Sequence, residues 1–122
     1  MILVLSLAYT LMAFAYFYSY KAGYSLLRYM FKRKNINVYL SVEIVFLILT
    51  SYIVFSNHPL NWIVAILMLL HASGIIWLIS NPADFYEILE ESFAMDENIS
   101  EISVVAMLLI SAILVLFSRF FF

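Results

Sequence analysis

Long apolar runs alternate with short polar breaks along this 122-residue chain, and the breaks predict four membrane-crossing helices at about residues 2–30, 36–55, 60–80 and 102–117. Each run is close to the roughly 20 residues that a helix rising about 1.5 Å per residue needs to cross hydrocarbon. The breaks carry fitting chemistry. Lys32, Arg33, Lys34 and Asn35 form a basic turn, and Ser56, Asn57, His58 and Pro59 a polar one in which Pro59 holds His58 extended. Asn81 followed by Pro82 ends the third run and offers a cap and a first position for a new helix. The next stretch, 82–94, differs in kind. Phe85, Ile88, Leu89 and Phe93 recur at helical spacing, while Asp84, Glu87, Glu90 and Glu91 fill much of the remaining surface. That pattern predicts an amphipathic helix lying at the membrane surface or against a partner, and its acidic polar face argues for a protein partner over anionic lipid.

The expected fold class is therefore all-α: a polytopic membrane helical bundle of four transmembrane helices, with the amphipathic helix between the third and fourth, forming one membrane domain over 1–122. Composition sharpens this. Hydrophobic residues make up 66% of the chain and charged residues 11%, where a soluble domain needs roughly a quarter of its residues charged. The absence of cysteine removes disulfides and thiol chemistry. The chain opens on Ile2, Leu3, Val4 and Leu5 without a positively charged stretch, so this segment reads as a span and not a secretory leader. Frequent Phe, Tyr, Ile and Asn with few Gly, Pro and Ala are what an AT-rich genome yields, as organelle genomes often are. The basic turn should face the cytoplasm or matrix, which returns the acidic helix to that side and places both termini, with Arg119, opposite; Trp62 and Trp77 fit interfacial belts. A three-charge turn explained by topology leaves no surface for nucleic acid.

Candidate chemistry lies at the ionisable groups inside the runs. An acid in hydrocarbon costs several kcal/mol unless paired, protonated or hydrated, which makes Glu43, within the apolar segment Val38 to Phe55, a candidate for proton or ion handling. Measured along the helices, Lys21 and Glu43 fall roughly 18 and 12 Å from the basic turn, and His71 roughly 15 Å from Asn81. All three are expected near mid-membrane on different helices, as a polar layer bridged by Tyr20, Tyr24, Ser41, Ser73 or water. Such a layer can pass protons. The plainer alternatives are that Glu43 and Lys21 form a fixed ion pair ordering the helices, and that His71 is an interhelical hydrogen-bonding residue. Arg28 is expected to snorkel to the inner interface. Tyr9, Tyr16, Tyr20 and Tyr24 share one helical face, a stripe suited to packing. His58 has no evident partner.

The middle of the chain resembles a known family. Lys32-Arg33-Lys34-Asn35 followed by a span carrying Leu40-Ser41-Val42-Glu43 is similar to the small membrane subunit of respiratory complex I, chain 4L in mitochondria and subunit K in bacteria. The turn Ser56-Asn57-His58-Pro59-Leu60 resembles the corresponding mitochondrial turn, and Leu69-Leu70-His71-Ala72-Ser73-Gly74-Ile75-Ile76 resembles the third-helix pattern of Ala-Ala-Glu-Ala, a small residue, an apolar residue, then Gly-Leu. The resemblance runs from about Met30 to Ser80. It implies a membrane-arm subunit of a large hetero-oligomeric proton-pumping NADH:quinone oxidoreductase in the mitochondrial inner membrane, or alternatively the prokaryotic cytoplasmic membrane. NADH, FMN, iron-sulfur clusters and quinone would then belong to partner subunits, and none to this chain. Glu43 would be the proton-carrying residue, His71 would stand where the family has its second glutamate, and Lys21 would tune Glu43. Imidazole in place of carboxylate inverts the charge logic of that position, and the acidic helix and fourth span exceed the family's usual three helices. Other readings of the same residues are the small subunit of a cation/proton antiporter or membrane-bound hydrogenase, a purely structural accessory subunit, and a free-standing channel or small transporter.

Overall fold

The computed structural model describes residues 1–30, 32–57, 59–94 and 97–121, and helix is the regular structure throughout them. In chain order these are α1 (Ile2–Lys21), the short α2 (Leu26–Met30), a 3-10 turn (Arg33–Asn35), α3 (Ile36–Ser56), α4 (Trp62–Ser80), α5 (Pro82–Ala94) and α6 (Glu97–Phe121). α1, α3, α4 and the part of α6 from Asn98 are each long and apolar enough to cross a membrane. The chain is an all-α polytopic helical bundle, a membrane protein. His58 lies outside the described residues.

Two antiparallel pairs build the bundle. α1 packs along α6, with the Ser6 hydroxyl donating to the Ala112 carbonyl at 3.0 Å near one end and the Tyr20 hydroxyl donating to Asn98 Oδ1 near the other. α3 and α4 form a hairpin across the polar turn. Asn61 secures its far side: Oδ1 caps α4 by accepting from the Val64 amide at 3.2 Å, and Nδ2 donates to Ser118 Oγ of α6 at 3.0 Å. Leu5, Tyr9, Phe46, Ile53, Val64, Leu67, Ala112 and Val115 interlock where the pairs meet. Buried Thr50, Asn61, Glu101 and Ser118 stand inside while Leu7, Leu11, Ile48, Leu70, Ile76 and Ile110 face outward. That inversion suits lipid. Hydrocarbon outside gives little drive to bury more apolar surface, so close packing and interhelical hydrogen bonds hold such helices together.

The first span is shorter than expected. A helix running from residue 2 to about 30 was predicted, but α1 stops at Lys21. Gly23 takes a left-handed φ of 86°, its amide donates to the Tyr20 carbonyl, and the Tyr24 amide donates to the Ser19 carbonyl. Together these bonds make a Schellman terminator, which satisfies the last carbonyls and favours glycine at the left-handed position. The chain then restarts as α2, capped by the Ser25 hydroxyl accepting from the Arg28 amide at 3.1 Å.

Part of the amphipathic helix's apolar face packs within the chain, while Ile88 stays exposed. Phe85 and Tyr86 are buried against Tyr39 of α3 and Leu78 of α4, with Trp77 and Leu89 packed around them. Asn81 Oδ1 accepts from the Asp84 amide at 3.3 Å, and the Trp77 indole donates to Asp84 Oδ2 at 3.0 Å, so α5 is folded back on the end of α4.

Candidate functional site

Three helices each place one polar side chain at the middle of the bundle. On α3, Glu43 shares a face with Tyr39 and Phe46, one helical turn to either side. On α4, His71 lies on the stripe of Leu67, Gly74 and Leu78. Tyr9 comes from α1, between buried Leu5 and Ala13. Packing of these three apolar stripes against one another is what brings their polar members together.

The result is a continuous hydrogen-bonded chain. His71 Nδ1 lies 2.9 Å from Glu43 Oε2, and His71 Nε2 lies 2.6 Å from the Tyr9 hydroxyl. The Tyr39 hydroxyl bonds to the Glu43 carboxylate. Gly74 leaves room for this junction: a Cβ there would stand 3.3 Å from the Tyr39 oxygen and 4.0 Å from Glu43 Oε2. Below the imidazole, Phe46 stacks on His71 at 5.2 Å and 10°, and on Tyr9 at 4.6 Å and 15°. With side chains only 15% and 17% exposed, His71 and Glu43 rely on each other more than on solvent.

This arrangement fixes what each atom can do. While Glu43 is ionised it only accepts, so Nδ1 of His71 carries a hydrogen and donates to it. Nε2 is then free to accept from the Tyr9 hydroxyl in the neutral imidazole, or to donate to that oxygen once a second proton arrives. When the proton moves to Glu43 instead, the carboxyl donates to Nδ1 and Nε2 carries the hydrogen toward Tyr9. Imidazole can thus take a proton on one nitrogen and release one from the other, with Glu43 and Tyr9 as neighbours on either side. Glu43 and His71 also open onto a cavity of about 240 Å³ that Tyr16, Leu27, Met30 and Val104 help to line. Its volume exceeds that of several waters at about 30 Å³ each.

The positions of the expected layer divide. Glu43 and His71 are brought into direct contact, and Lys21 is not with them. It occupies the last turn of α1, exposed, with its ammonium 5.6 Å from the Phe17 ring centre. Twelve residues separate it from Tyr9, about 18 Å of helix. The expected mid-membrane position assumed an uninterrupted helix back from residue 30, and the Gly23 terminator removes that premise. The bridging hydroxyls differ too. Tyr20 bonds to Asn98, and Ser41 is exposed and donates to the Asn37 carbonyl at 2.7 Å. Tyr9 takes their place.

Sequence reasoning missed Glu101. It precedes the expected fourth span by one residue, yet it is only 1% exposed. The spacing 101, 105, 108, 112, 115 puts it on the buried stripe of α6 with Val105, Leu108, Ala112 and Val115, a pattern that extending the apolar face backward would have exposed. The Ser25 hydroxyl donates to Glu101 Oε1, and Arg28 Nε stands 3.9 Å from the same oxygen. Arg28, expected at the interface, turns toward the start of α6.

Comparison with protein families, with curated proteins and with solved structures finds no match to this chain.

Proposed function

We propose that this chain is a membrane-arm subunit of a proton-pumping NADH:quinone oxidoreductase, in which Glu43 carries protons or transmits charge through the middle of the membrane. The observation that carries the reading is the His71 imidazole, hydrogen-bonded on one nitrogen to Glu43 and on the other to Tyr9 inside a four-span bundle. A carboxylate held this way is desolvated by its surroundings yet supplied with a proton donor and acceptor, the combination that proton transfer requires. The resemblance to the small complex I subunit supplies the assembly. In it, redox chemistry with NADH, FMN, iron-sulfur clusters and quinone takes place in other subunits, and this chain contributes only titratable groups. The membrane would be the mitochondrial inner membrane, or the cytoplasmic membrane of a prokaryote.

His71 in the place of the family's second glutamate changes the charge logic in a definite way. Two carboxylates in contact repel when both are ionised, whereas a carboxylate and an imidazole attract when both are charged and still hydrogen-bond when both are neutral. With one proton shared between them, the pair can be ionic or neutral and stays hydrogen-bonded either way, which suits transfer without bulk water.

Glu43→Gln is the deciding variant. Glutamine keeps the size and an acceptor oxygen but cannot hold an exchangeable acidic proton. In the assembled enzyme it should abolish quinone-coupled proton translocation while the chain still accumulates in the membrane. Full pumping by that variant would overturn the proposed role. Recovery of the native chain without flavin or iron-sulfur proteins beside it would overturn the proposed assembly.

A further inference from the structure

Glu101 is the most deeply buried charged side chain among the described residues, and the relay around His71 does not use it. Ser25 serves Oε1, and Arg28 Nε approaches only to 3.9 Å, beyond hydrogen-bonding distance. Oε2 is buried and has no hydrogen-bond partner among the described residues. A purely structural carboxylate inside a bundle is expected to have both oxygens satisfied. The open oxygen is a position where a proton can bind.

Its surroundings connect it in two directions. Outward, Ser25 lines an open polar pocket of about 390 Å³ with Tyr20, Lys21, Gly23 and Asn98. The residue that donates to Glu101 is therefore also part of that pocket's wall. Inward, Val104 lies one turn further along the same face of α6 and lines the cavity onto which Glu43 and His71 open. Tyr16 stands in that cavity within electrostatic reach of both Glu43 and Glu101, its hydroxyl donating to Met30 Sδ at 3.3 Å. Among the described residues, the charged and titratable groups facing Glu101 are thus Arg28 from α2, Tyr16 from α1 and, across the pocket, Lys21 and Tyr20.

We propose that Glu101 is a second proton-exchanging carboxylate, which takes protons from the Ser25 pocket at the basic-turn end of the bundle and passes them through the Tyr16 cavity to Glu43. The proposal rests on the relay reading of Glu43 for its destination, and on Glu101's own geometry for its titration. Each transfer moves one proton and no electrons, from the Ser25 side to Glu101 Oε2 and then, across cavity water, to the Glu43 carboxylate. Arg28 balances the negative charge left when Glu101 is empty.

The test is infrared spectroscopy of the full-length chain in lipid vesicles, following the carbonyl stretch of protonated carboxyl groups. Wild type should show two such bands that appear and disappear as pH is varied, one missing in Glu101→Gln and the other in Glu43→Gln. Hydrogen-to-deuterium exchange at the Glu43 band should slow tenfold or more in Glu101→Gln. A carboxylate locked in an ion pair gives no titrating band, so a Glu101→Gln spectrum that loses nothing overturns the proposal, as does unchanged exchange at Glu43. Should that variant fail to accumulate, Ser25→Ala keeps the carboxylate and removes its donor. It should slow Glu43 exchange by a similar factor, and exchange at the wild-type rate would overturn the path. Absence of the Glu43 band in wild type defeats the relay reading instead, and the Glu101 band is then judged on its own titration.

Discussion

Two glutamates lie inside the bundle, and they are held in opposite ways. Glu43 is partly sheltered and richly partnered: an imidazole from α4, a phenol one turn back on its own helix, and a cavity beside it. Glu101 is almost wholly enclosed and poorly partnered, with one serine hydroxyl, a guanidinium at a distance and one oxygen unserved. On the proposed reading, burial alone does not define a proton-handling group in a membrane. What matters is whether the neighbours can change protonation with it. His71 can, because its two nitrogens exchange roles; Arg28 cannot, because a guanidinium stays charged. On the proposed reading, the Glu43 site is where protons pass between protein groups, and the Glu101 site is where a proton is taken up beside a fixed charge before it moves on.

The sharpest way to break this contrast is to take titration away from the imidazole while keeping its hydrogen bonds. His71→Gln retains a donor for Glu43 and an acceptor for Tyr9 but cannot accept a proton at pH values a cell experiences. Proton translocation in the assembled enzyme should fall by about a hundredfold, the scale of one lost acid-base group, while the amount of chain in the membrane stays near wild type. If His71 served only to tie α4 to α1 and α3, glutamine would do that work and activity would survive.

A smaller effect is expected from the other end of the same chain of bonds. Tyr9→Phe removes one buried hydroxyl and leaves the stacking on Phe46 intact. The interhelical bond lost is worth about 1 kcal/mol, read as a lower midpoint in detergent or denaturant unfolding. Translocation should drop only severalfold, because Nε2 can still exchange through cavity water. Equal losses from Tyr9→Phe and His71→Gln would mean that the hydrogen-bonded chain works as one unit with no water to bypass it.

Why one member of this chain was legible in advance and another was not follows from how helices meet. The four spans could be read because lipid demands long apolar runs and punishes any break. The shared level of Glu43 and His71 in the bundle could also be read, since each is counted from a nearby helix end, the basic turn for α3 and Asn81-Pro82 for α4. The facing of one helix toward another is a different quantity. It depends on how Leu5, Phe46, Val64 and Leu67 interlock, and no single-helix period reports it. Tyr9 was therefore visible as part of an aromatic stripe but not as the partner of His71. Glu101 escaped because the apolar run was begun at Ile102, although the stripe to which it belongs extends past that point. The acidic helix follows its expected face only in part: Phe85 is buried and Leu89 packed against Tyr39, Trp77 and Leu78, Tyr86 outside that face is buried with them, and Ile88 stays exposed, because what α3 and α4 offer is not written in a single-helix period.

Lys21 gives the smallest expected effect and the cleanest separation of the two pictures. From depth alone it belongs beside Glu43, as counter-ion or tuner, and replacing it should then leave a carboxylate unbalanced in hydrocarbon, with heavy loss of both assembly and activity. In the folded chain it ends α1 at the rim of the Ser25 pocket, exposed and resting on Phe17. A lysine in the last turn of a helix interacts favourably with the helix dipole, a contribution of a few tenths of a kcal/mol that salt screens. Lys21→Met should therefore leave membrane accumulation and unfolding midpoint indistinguishable from wild type and change translocation less than twofold. Any proton traffic through the Ser25 pocket would show only as a weak, salt-dependent loss, because a cation at a pocket mouth acts over a distance that mobile ions screen. A collapse of the variant on the scale of Glu43→Gln would restore the ion pair that the Gly23 terminator has removed from this picture.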